Sequence, residues 1–286
     1  MKSMKISLHM LLAMAIALTV VATLYVPVHI DRDGGFMKQY SHVSREYVEE
    51  PLLNNICNFI ASLYVELTPS YGCVRESPVA ENSTCYTSTN LLAEYVLRNL
   101  CNNKVLADKV RAFLNTYPAD FYDYYQILFS KQFSLPFTTV EHVNVAIING
   151  ITIKHVKRTD KVMYDYDQYA NLVALKALYH VVHGQSENAV AELSKLNSLF
   201  DGRGFKDKAY QASQMYETYK LALAAIAYKS LGSISEAGRY SKVLYSIKPF
   251  TTLYTANYTG VGDLNLETAC LTAIALYSSI SYGLKT

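Results

Sequence analysis

From Pro51 to Leu67 the chain reads "PLLNNICNFIASLYVEL". Apolar residues recur at helical intervals and proline occupies the first turn, where its missing N–H costs nothing, so the spacing predicts a helix. The next stretch, "TPSYGCVRESPVAENSTCYTS", breaks every period with prolines, glycine and hydroxyl residues and predicts a long structured loop. "TNLLAEYVLRNL" then starts a helix capped by Thr89 or Asn90, and "KVLADKVRAFLNTY" follows as an outer, half-exposed helix. Between Phe133 and Lys157 β-branched and polar residues alternate on both sides of "NG", which predicts a β-hairpin with a two-residue turn. From Tyr166 onward helices return in pairs: "YDQYANLVALKALYHVVHG" with "SENAVAELSKLNSLF", then "MYETYKLALAAIAYKSLG" with "SISEAGRYSKVLYSI", and lastly "NLETACLTAIALYSSISYG". The first helix of each pair is apolar nearly all round, so it must be buried; the second carries a polar face.

These first helices repeat. Ala174, Leu175 and Ala177 align with Ala222, Leu223 and Ala225, and Asn90, Leu91 and Ala93 align with Asn171, Leu172 and Ala174. A period of about 50 residues holds a buried helix, an outer helix and two loops. The expected fold is therefore mainly all-α, an α/α-toroid or curved array of helical hairpins with one small β-hairpin insertion at about 133–157. Residues 51–286 would form one domain, preceded by a linker at 31–50.

The alternation of inner and outer helices, with "FDGRGFKDKAY" ahead of an inner helix, resembles the α/α-toroids of six-hairpin glycosidases, terpenoid cyclases and thioester-containing domains. The blocks "ESP", "TNLLA", "YETYKLAL" and "NLET" look closest to those of exported proteins of thermoacidophilic archaea, a resemblance that implies no particular reaction. "DYDQY" departs from the acidic motif of cyclases because Gln168 takes the last acidic position, and Cys270 in "ETACLTA" lacks a thioester context.

Only 17% of residues are charged, against roughly 25% for an ordinary soluble protein, so uncharged groups must cover much of the surface. Tyrosine supplies many of them: 25 Tyr, and no Trp. The net charge of +2 is accounted for by Lys2 and Lys5, which leaves the rest neutral and excludes nucleic acid as a partner, because phosphate binding needs clustered Lys and Arg. Those lysines precede an uncharged run from Ile6 to Val28. Within residues 1–30 this is either a transmembrane anchor, its lysines on the cytoplasmic side, or a signal peptide cleaved after "VVA". Both place the body outside the cell, membrane-anchored or secreted. The sequons at Asn82 and Asn257 agree with export. So do Cys57, Cys73, Cys85 and Cys101, which allow three pairings; the preferred one joins Cys73 to Cys85 across the loop and Cys57 to Cys101 between helices.

In a toroid the loops before the inner helices converge on a mouth, so polar residues at those positions are the candidates for chemistry. Glu217 and Glu267 head the set as a catalytic pair, because glycoside cleavage uses two carboxylates, with Asp207 and Asp263 behind them. The same residues suit helix starts, where a negative charge meets the helix dipole. Asn90, Tyr166, Asp167, Tyr169, Tyr216, Tyr219 and Asn265 are candidate ligand-binding residues, and Glu76 and Asp165 share the expected mouth. His180 and His183 lack a third ligand, and no motif calls for a metal or a cofactor. Two functions follow from different classes: a surface protein that binds or processes envelope glycans at the mouth, or a non-catalytic scaffold for another envelope protein.

Overall fold

The structure is a computed structural model that describes residues 50–79, 83–119, 124–131 and 133–279, all within the unit Val48–Thr286. The expected anchor or signal peptide at 1–30, the linker as far as residue 49, and Asn82 lie outside the described residues. No helix among the described residues is long and apolar enough to cross a membrane.

Four buried helices form the centre: α2 (Thr87–Asn99), α4 (Ala170–Val182), α7 (Thr218–Ser230) and α9 (Leu266–Tyr277). In α7 every residue from Lys220 to Tyr228 is buried, and in α9 every residue from Thr268 to Ala275. Alanines let neighbours approach closely, and α4 packs on α7, α7 on α9, and α9 on α2. Amphipathic helices cover the outside: α3 (Lys104–Thr116) on α2, α5 (Ser186–Leu199) on α4, and α8 (Ile234–Ser246) on α7. In α3 the buried Ala107, Val110, Phe113 and Leu114 make the single apolar stripe that such a helix needs. Helix α1 (Glu50–Ser62) packs against α9 and α2.

The all-α toroid is overturned by three small sheets. Helix accounts for about 53% and strand for about 20%, so the fold is mixed α/β. Helix α1 ends at Ser62, and Tyr64–Thr68, expected to continue it, is strand β1, paired antiparallel with β2 (Tyr71–Val74). Pro69 follows β1, and a Cβ on Gly72 would lie 2.3 Å from the Val65 carbonyl oxygen, so only glycine permits this close pairing. The hairpin strands β4 (Thr138–Ile148) and β5 (Ile151–Val162) turn at Asn149 and Gly150, both with positive φ. They are no isolated insertion: β5 also pairs in parallel with β3 (Thr84–Tyr86), giving a sheet of order β3-β5-β4. The third sheet joins β6 (Tyr216–Glu217), β7 (Leu253–Tyr254) and β8 (Gly260–Val261). A 3-10 helix at Tyr124–Phe129 and the ribbon β4–β5 stand in the chain between the α2–α3 and α4–α5 pairs.

Two disulfides tie this half together. Cys57 in α1 bonds Cys101 just after α2, with Cα atoms 5.6 Å apart, and Cys73 in β2 bonds Cys85 in β3, at 6.3 Å. These are the preferred pairings, and they fit an extracellular protein.

Candidate functional site

Two sets of polar contacts join the N-terminal ends of the four central helices in pairs, α4 with α7 and α9 with α2. Asp207 is buried and accepts from Ala170 N at the start of α4 (3.0 Å), from Tyr210 N in the short helix α6 (Lys208–Ser213; 3.1 Å), and from Lys220 Nζ near the start of α7 (2.5 Å). Lys220 also pairs with Glu217, the residue just before α7. Beside them the Tyr219 hydroxyl has a pKa well above its usual value, first through burial and then through the charges of Glu217, Glu267 and Asp207. Glu76 joins α9 to α2. Its carboxylate accepts from Thr89 Oγ1 (2.8 Å) and, at 3.4 Å, from Glu267 N, and its carbonyl accepts from Leu266 N (2.9 Å).

Above Glu76 and Glu267 lies a cavity of about 280 Å³ between the helix starts and the β4–β5 ribbon. Its polar floor is Glu76, Thr89 and Glu267; Tyr86, Tyr124 and Tyr125 stand around it, and Val140 and His142 of β4 contribute the opposite wall. The Tyr125 hydroxyl donates to Glu267 Oε1. Burial first, and then the neighbouring Glu267 charge, push Glu76 up to about 8, against the hydrogen bonds from Thr89 and the Glu267 backbone. Glu267 is raised too, by burial and then by Glu217, with Tyr125 opposing. With its pKa pushed up to about 8, Glu76 holds a proton at neutral pH beside the Glu267 charge. Burial and the Lys154 charge lower the His142 pKa, so that ring is neutral near pH 7.

The structure brings Glu267 together with Glu76 at this cavity, and Glu217 stands to one side, engaged by Lys220. Asp207 is buried against Lys220 without lining the cavity. Asp263 is exposed, and its carbonyl accepts from Thr252 (2.9 Å). Asn90 is fully buried and spends its amide on the Val74 backbone and Tyr86 O. Asn265 caps α9 by accepting from Thr268 N, 2.9 Å. Tyr166 sits under Lys176 and bonds it at 2.5 Å, and Lys208 Nζ lies 5.5 Å from the Tyr169 ring centroid. Tyr216 stacks on Tyr254 and donates to Asp201 (2.6 Å); Asp167 is exposed. Asn257 is exposed in the turn between β7 and β8. His180 and His183 bond Gln185 and the Tyr179 carbonyl, and no metal-ligand cluster occurs among the described residues.

Tyr124, Tyr125 and His142 were not legible as site residues. "FYDYYQ" carries no periodicity, and His142 reaches the cavity only because β5 pairs with β3 and so lays the ribbon over the helix ends. No protein-family model, curated protein or solved structure matches this chain.

Proposed function

We propose that this exported domain binds carbohydrate in the cavity above Glu76 and Glu267. One observation carries the proposal: two carboxyls, both with raised pKa, form the floor of an open, tyrosine-walled cavity. Its volume of about 280 Å³ falls just below the roughly 300–1,000 Å³ typical of ligand sites and suits one sugar unit of a longer glycan. Carboxyls in different protonation states offer a donor and an acceptor to sugar hydroxyls, and tyrosine rings suit the apolar faces of a pyranose. The same pair, one protonated and one ionised, is what acid–base cleavage of a glycoside requires.

A non-catalytic scaffold is the second proposal, favoured by the edge strand β4, which exposes Val145 and Ile147. A β-bulge between Asn144 and Ala146 interrupts that edge, a device that discourages strand addition, so the cavity is preferred. Titration of wild type, E76Q and E267Q with a panel of soluble oligosaccharides tests the choice. Saturable binding by wild type, weakened about tenfold or more in each folded variant, is expected, equivalent to about 1.4 kcal/mol. Any turnover should vanish in both variants. Binding of no glycan by wild type would overturn the carbohydrate assignment.

A further inference from the structure

Among the described residues the buried carboxylates are compensated, whereas the half-buried pair at the cavity is not. Glu94 binds Arg98 and Arg111, Glu192 binds Lys176 and Lys195, and Asp207 binds Lys220. Each of these three is almost fully buried, and each has its cation within 3.1 Å. Glu76 and Glu267 have no basic partner among the described residues. Their neighbours are Thr89 and Tyr125 as donors, Glu217 just before α7, the Tyr219 hydroxyl on α7, and the buried Cys270 thiol on α9, whose pKa is raised by burial and then by the Glu76 and Glu267 charges. From the ribbon side come neutral His142 and, beyond it, Lys154, which lies over the Tyr86 ring at 5.8 Å from its centroid.

A half-buried carboxylate pair on the floor of a cavity favours a positive charge or a proton, since partly desolvated like charges resist ionising together. We infer that the ligand brings that charge: the cavity selects a molecule with a protonated amine, which sits between Glu76 and Glu267 within reach of the tyrosine rings. Without ligand a proton occupies the pair; with ligand the ammonium replaces it. Tyrosine faces add a cation–π attraction that a neutral ligand does not gain. The inference rests on the cavity being the ligand site proposed above, and narrows a carbohydrate there to an amino sugar.

Because the ammonium displaces a proton, binding is linked to pH. The pair ionises more easily with ligand than without, so affinity rises with pH, by about tenfold per unit while one proton is exchanged. That slope flattens above about 8, where Glu76 has already lost its proton.

The test is calorimetric titration of the wild-type chain, disulfides intact, with glucosamine, N-acetylglucosamine, glucose and cyclohexylamine, each from pH 5.5 to 8.5 and in buffers of different ionisation enthalpy. Glucosamine should bind at least about tenfold more tightly than N-acetylglucosamine or glucose at pH 7.5 and release close to one proton at pH 6.5. The E76Q variant should lose both the preference and the release. Cyclohexylamine binding as tightly as glucosamine, with the same proton release, would keep the amine assignment and overturn the carbohydrate one. Glucose or N-acetylglucosamine binding as tightly as glucosamine, with no proton released, would overturn the amine and keep the carbohydrate site. No binding of either amine up to about 100 mM would also overturn the amine assignment.

Discussion

Glu76 carries the chemistry of the cavity and a measurable cost to the fold. A carboxyl raised from 4.5 when unfolded to about 8 when folded favours the folded state fully below pH 4.5, and that contribution is lost as pH rises through about 8. E76Q removes the titration. The difference in Tm, variant minus wild type, should therefore grow more positive from pH 5 to pH 9, by about 3 °C or more, the shift that about 1 kcal/mol produces in a domain of this size. Thermal unfolding followed by circular dichroism at both pH values checks it, and a difference that stays flat counts against the raised carboxyl. The sequence places Glu76 at the expected mouth, but without a catalytic or binding role. Its importance comes from Leu266 and Glu267, 190 residues away, which donate their backbone N–H groups to it. Asp207 is the converse case. Its sequence context suggested a mouth residue, whereas the buried Lys220 converts it into a structural ion pair; removing one partner of such a pair strands the other charge.

At the scale of elements, what the sequence discloses follows from how local each pattern is. The central helices were legible because apolar residues such as Leu221, Leu223 and Ile226 leave no polar face. "NG" fixed the hairpin turn because few residues accept the positive φ found at both Asn149 and Gly150. The strands β6, β7 and β8 were not legible: two residues each make no period, and their pairing joins Tyr216 to Tyr254 across the whole α7–α8 hairpin. Likewise the loop after β1 hides β2 and β3, which the Cys73–Cys85 bond holds on either side of Glu76. Closing 12 residues, that bond should contribute about 3 kcal/mol, and Cys57–Cys101, closing 44, about 4 kcal/mol. In denaturant titrations C73A/C85A should lose about the smaller amount and also weaken ligand binding at the cavity, because Glu76 N bonds Thr84 O inside the stapled loop. C57A/C101A should lose more stability and leave binding unchanged. Equal effects on binding would break the link between staple and site.

For the whole molecule, the two disulfides fit an extracellular protein, whereas the tyrosines expected on the surface are buried or half-buried among the described residues, Tyr164 excepted. The helical repeat predicts an α/α-toroid or a curved array of hairpins; three small sheets complete the fold, and the one with β4 and β5 roofs the cavity. Site and scaffold thus have different origins in the chain: the start of α9 supplies Glu267, and the segments outside the repeat supply Glu76, Tyr124, Tyr125 and the wall. The central claim is that this junction holds two neighbouring carboxyls, Glu76 with a raised pKa, and no compensating cation among the described residues. Carbon-13 NMR of the chain labelled at glutamate side-chain carboxyls tests it directly, by following every Glu from pH 3 to pH 10. One step near pH 8, absent from E76Q and shifted downward by saturating glucosamine, is the predicted result; titration of every glutamate below about pH 5 would contradict it.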